Sequence, residues 1–174
     1  MTKQKLNLSY LQGFLHAMSS INDGYEHGCE YVVYTIPITG DAAQSFNSHF
    51  GEGFNHRAQE SLGAYQLEEL HQSEQDLYHR LKHVEVTEIQ DGQKYLETLL
   101  SKWFIHQDYS PTGKEPGTEN NLLGLARDFI GCIKRYSDFS SLYHVEFSHS
   151  SLAVHDCVLL QLETEYLVIN LGWY

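Results

Sequence analysis

Three stretches of this chain combine residue types that could do chemistry. The densest is "DLYHRLKH", in which Asp76, His79 and His83 fall at helical spacing. A helix turns by about 100° per residue, so these three side chains share one narrow arc. Two imidazoles one turn apart with a carboxylate beside them can hold zinc. The stretch lacks the glutamate of H-E-x-x-H, the general base of zinc-dependent hydrolases, and Arg80 and Lys82 stand next to it. A solvated helix face is the favoured reading, with Asp76, His79 and His83 kept as an alternative metal set. The second stretch is His155-Asp156-Cys157. On a strand, alternation puts positions 155 and 157 on one face and Asp156 on the other. A triad needs an acid that orients the histidine while the histidine activates the thiol. Three consecutive strand residues cannot do this among themselves, so Cys157 is expected to be a small buried hydrophobe. The third stretch, His27 and Cys29 among Glu26 and Glu30, reads as a turn entering a strand.

Phosphate-binding signatures fail in the same way. Gly51-Glu52-Gly53 opens no helix after a strand and places a carboxylate where a phosphate would sit. Gly113-Lys114 lacks the upstream glycine and the following Ser or Thr of a P-loop. No catalytic residue and no cofactor is therefore expected.

The elements that must position these residues are legible from their periods. Leu8, Leu11, Leu15 and Met18 recur at helical spacing. "CEYVVYTIPIT" is rich in β-branched and aromatic residues and predicts a strand ending near Pro37. Asp41 can cap a short helix to about Phe46. A long helix is predicted from about Arg57 to Val84, with Leu70, Leu77, Leu81 and Val84 on one face. Asp91 can cap another, packing Leu96, Leu99, Leu100, Trp103 and Phe104 inward. "HQDYSPTGKEPGTEN" is a polar loop, and Thr118 or Asn120 can start the last helix. From Leu142 the period changes to two, which predicts a three-stranded meander. The strand near residue 32 is expected to join the same sheet. The fold class is α+β: a mainly helical first two-thirds packed on an antiparallel sheet, in a single domain over residues 1–174.

Charge narrows the partners. Acids outnumber Lys and Arg by 23 to 11, a net charge of -12 in 174 residues. Such a chain should repel nucleic acid and anionic membranes and attract cationic partners. Glu68, Glu69, Gln72 and Asp76 lie on the outer side of the predicted long helix, with Glu52 and Glu60 before it, and Glu85, Glu88, Asp91 and Glu97 continue the bias. A basic protein partner is expected there, bound through Glu52, Glu60, Glu68, Glu69, Gln72 and Asp76. Three scattered cysteines and no signal peptide or membrane-spanning run predict a reducing, cytoplasmic setting.

Acidity, the helices and the closing meander "TEYLVINLGWY" together resemble bacterial toxin immunity proteins of the contact-dependent growth inhibition type. The resemblance implies a monomer that neutralises a cognate basic toxin, such as a nuclease domain, in a one-to-one complex, without touching nucleic acid or membrane itself. It carries over no individual residue. The rival expectation is a metal-dependent hydrolase using a subset of the 11 histidines.

Overall fold

The computed structural model describes residues 7–22, 29–49, 84–104, 118–147 and 155–173. In chain order these form α1 (Leu8–Asn22), β1 (Cys29–Pro37), α2 (Ala42–His49), β2 (Val84–Glu88), α3 (Gly92–Phe104), α4 (Thr118–Tyr136), β3 (Ser141–Phe147), β4 (His155–Gln161) and β5 (Glu165–Trp173). The strands make one antiparallel sheet in the order β1-β5-β4-β3-β2. The architecture is α+β, with the predicted meander at the end and β1 added beside β5.

Three helices start where a side chain takes up an orphan amide. Asn7 Oδ1 accepts from the Tyr10 amide at 3.2 Å. Asp41 and Gln44 form a reciprocal capping box: Asp41 Oδ1 accepts from the Gln44 amide at 2.8 Å and Gln44 Oε1 from the Asp41 amide at 3.2 Å. Asp91 Oδ1 accepts from the Lys94 amide at 3.4 Å. Gly92, just inside α3, sits so close to β3 that an added Cβ would lie 2.8 Å from that of Leu142. The helix can pack there because position 92 has no side chain.

Alternation divides the strand residues between two apolar clusters. On one face Val158, Leu160, Leu167 and Ile169 meet α1, α3 and α4, with Leu15, Leu100, Phe104 and Phe129 fully buried. Phe14, Phe104 and Phe129 interlock there with ring centroids 5.3–5.9 Å apart. On the other face Ile36, Val145, Cys157, Leu159 and Val168 surround Phe46 of α2. β4 is the middle strand and is apolar on both sides from Cys157 to Leu160.

Two boundaries differ from the sequence expectation. Val84 begins a strand and does not end a helix. "VEVTE" alternates, with Val84 and Val86 half-buried on the α2 face and Glu85 and Thr87 exposed on the other. The leucine spacing upstream runs on to Val84 numerically, but cross-strand pairing with Phe147 holds that residue. α2 also continues to His49, beyond Phe46. The rest of the predicted Arg57–Val84 helix lies outside the described residues, as does the polar loop before α4.

Candidate functional site at the carboxylate-bearing corner of the sheet

The sheet register builds a row of side chains across all five strands on the helix-covered face. Glu85 of β2 stands opposite Glu146 of β3. The β3–β4 ladder ends at Val145–Cys157, and Glu146 and Asp156 are the next residues of the two strands on this face. Asp156 pairs with Leu171 of β5, and Leu171 with Tyr31 of β1. The row thus runs from three carboxylates at the β2 corner to two buried apolar residues at the β1 side. The next row inward begins Thr87–His144–Val158.

Helix α3 covers this corner in part. Trp103 Nε1–H donates to Asp156 Oδ2 at 2.6 Å, and Lys102 Nζ reaches the same oxygen at 3.3 Å. Asp156 is only 17% exposed, against 66% for the Glu146 side chain. His144 lies between them, Nδ1 3.6 Å from Glu146 Oε1 and Nε2 3.6 Å from Asp156 Oδ1. These separations exceed a good hydrogen bond, and the buried Nε2 has no partner. The Tyr95 ring meets His144 edge-on at 5.9 Å. Burial pushes the Tyr95 phenol above its ordinary pKa, and the charges of Asp156 and Glu146 push it further the same way. Among the described residues, three carboxylates at this corner meet one lysine, Lys102.

The His155-Asp156-Cys157 triplet resolves accordingly. Asp156 serves Trp103, Lys102 and the corner. Cys157 is 1% exposed on the opposite face, its thiol pushed strongly upward by burial and then by the Asp156 charge. A thiolate is unavailable in that setting. Among the described residues, His144 hydrogen-bonds to no serine, threonine or cysteine, and no group of three or more His, Cys, Asp or Glu is placed to hold a metal ion.

The partner-binding residues expected from the sequence, Glu52, Glu60, Glu68, Glu69, Gln72 and Asp76, lie outside the described residues. So does the alternative metal set Asp76, His79 and His83. Within the described part, the acidic bias noted at Glu85 converges with Glu146 and Asp156, which sequence reasoning did not connect. The signal was the alternation of "SLYHVEF" and "VEVTE": once both are strands, Glu85, Glu146 and His144 share one face. Only the pairing register makes them neighbours.

A cleft of about 310 Å³ opens elsewhere, between the start of α3 and the end of α4, lined in part by Ile89, Gln93, Lys134, Phe139 and Leu142. Its cation is already engaged: Lys134 Nζ bonds Gln93 Oε1 and lies 5.6 Å from the Phe139 ring centre. No described helix is long and apolar enough to cross a membrane. Comparison with protein families, curated proteins and solved structures gives no match to the chain.

Proposed function

We propose that this protein is an acidic binding protein that neutralises a cognate basic protein, a toxin of the nuclease kind, by forming a one-to-one complex. The observation that carries the reading is the Glu85–Glu146 pair. Like charges directly opposite on paired strands destabilise the strands that bear them. Here both carboxylates are exposed at a sheet corner, with Asp156 next in the row, in a chain of net charge -12. A cationic partner would turn that local cost into attraction. The wider field would speed its approach. The residues expected from the sequence, Glu52 to Asp76, add to the same negative charge of the chain.

The test is capture from the native organism with the untagged protein as bait, followed by binding kinetics with the captured partner. A basic partner whose toxic activity is lost at one equivalent is the expected result. Raising salt to about 0.5 M should slow association markedly, because the Debye length falls well below 10 Å. Charge reversal of Glu68, Glu69 and Asp76 to Lys should weaken binding in the folded protein. An acidic partner, or wild-type binding by both that variant and Glu85→Lys, would sink the proposal. One tightly held metal ion per chain, lost in the His79→Ala/His83→Ala variant, would point to a hydrolase.

A further inference from the structure

Resting on that reading, we propose that the outer edge of β2 is the docking strand for the partner, and that it takes an extended segment carrying Lys or Arg at alternate positions. A sheet has two edges, and each presents unpaired main-chain groups that invite another strand. At the β1 edge the chain closes part of its own. Gln12 of α1 donates from Nε2 to the Tyr31 carbonyl at 3.0 Å and accepts at Oε1 from the Val33 amide at 2.9 Å. One side-chain amide thus reproduces the two bonds a neighbouring strand would make. Pro37 ends the same strand without an amide donor.

At the β2 edge nothing comparable stands among the described residues. The register fixes which groups face out. The Ile89 amide donates to the carbonyl of Leu142, directly opposite it, at 2.9 Å. Antiparallel residues alternate between bonded and non-bonded pairs. Thr87 and Glu85 therefore bond to β3, while the amides and carbonyls of Val84, Val86 and Glu88 point outward. β2 holds neither of the residues, Lys and Pro, that commonly guard an edge. On one face it carries Glu85, with Glu146 beside it, and on the other Glu88. A second copy of this strand would add further carboxylates to the same edge, so charge disfavours self-pairing. A basic strand would find main-chain partners and opposite charge in one register.

The probe is a synthetic peptide of alternating valine and lysine about as long as β2, with hydrogen exchange read residue by residue in the protein. The control is a peptide of the same charge interrupted by prolines. The alternating peptide should bind and slow exchange at the outward amides of Val86 and Glu88, leaving Glu85 and Thr87 unchanged. Val86→Pro removes only an outward donor, and should weaken the peptide by about tenfold while β2 stays paired with β3. If that variant fails to fold, amide protection in the wild-type protein still decides. Equal binding of the proline-interrupted peptide, or protection elsewhere than β2, would overturn the docking strand and leave the acidic-binder reading intact. Failure of the alternating peptide to bind would also overturn the docking strand. If the captured partner shows no dependence on salt or charge either, both readings fall.

Discussion

The two flanks of the sheet are built to opposite rules. At the β1 flank the polar side chains of α1 that meet β1 and α3 are matched, although Asn170 Oδ1 of β5 is buried without a hydrogen-bond partner among the described residues. Gln12 seals the strand edge. Asn22 Nδ2 donates to the Tyr31 hydroxyl at 2.7 Å and to the Trp103 carbonyl at 2.8 Å, and the Tyr31 hydroxyl donates to the same carbonyl at 2.5 Å. These side chains occupy carbonyls that the end of α3 leaves without helical partners. Burial, and Cys29 after it, raises the Tyr31 phenol far above its ordinary range, so it stays neutral as a donor. At the β2 flank the carboxylates of Glu85 and Glu146 face each other in solvent, and a buried histidine nitrogen has no partner. Elsewhere the chain neutralises a carboxylate readily. Glu97 takes bonds from Gln93 at 3.0 Å and from Arg127 at 3.3 Å, which together hold its carboxyl below the usual range. The like-charge pair at the β2 flank is thus a local departure from the matched carboxylate at Glu97, and local departures of this kind mark functional or strained sites.

The largest expected effect tests the core that both flanks share. Leu160 is fully buried on the middle strand. Leu160→Ala should cost about 2–5 kcal/mol of stability, through lost burial and the cavity left behind. An unchanged denaturation midpoint would mean that β4 is not the central element. Asp156→Ala comes next, because it joins the core to the corner. It removes the acceptor of the Trp103 indole N–H and the partner of Lys102. A buried donor left unsatisfied costs about 1–3 kcal/mol. Asp156→Asn, which keeps an acceptor oxygen, should recover much of that loss in thermal unfolding. Equal losses in both variants would show that the charge, and not the indole bond, holds α3 to β4.

Much of this architecture was legible in the sequence, for a physical reason. The periods of 3.6 and 2 and the caps at Asp41 and Asp91 are local properties, and they gave α+β, the meander and the inward face of α3. Cys157 could be read as core because both faces of its strand are largely apolar, with Val154, Val158, Leu160 and Leu162 on one and Leu159 beside it on the other. What was not legible is register. No local pattern says that Glu85 will face Glu146, or that Trp103, 53 residues from Asp156, will bond it. The boundary error at Val84 has the same origin, since a helical leucine spacing ran into a strand that only its pairing with β3 defines.

Breaking the sealed flank should have a smaller effect on stability but a visible one on association. Gln12→Ala exposes the Val33 amide and the Tyr31 carbonyl at once. Two hydrogen bonds of this kind contribute about 1–2 kcal/mol net. The β1 edge would then expose main-chain groups as the β2 edge does, with Glu30 as its one acid, so the variant should self-associate at concentrations where the wild type does not. Sedimentation velocity reads this directly. A variant that stays as disperse as the wild type would show that Gln12 is not what keeps β1 unpaired.

The smallest effect is the most discriminating, because its sign is unusual. Glu85→Lys places a cation opposite Glu146, turning a like-charge cross-strand pair into an opposite-charge one. Such pairs contribute about 0.2–1 kcal/mol. The variant should therefore unfold at slightly higher denaturant than the wild type, and the gain should shrink as salt screens it. Glu146→Lys should do the same from the other strand. The double variant restores like charges and should lose the gain, which isolates the pairwise term as coupling. Binding should move the other way: each single variant weakens a basic ligand while stabilising the free protein. A surface kept only for solubility offers no reason for that opposition. If Glu85→Lys destabilises the free protein, the two carboxylates are not in electrostatic conflict. The corner would then be an ordinary exposed edge, and the contrast between the flanks would lose its functional meaning.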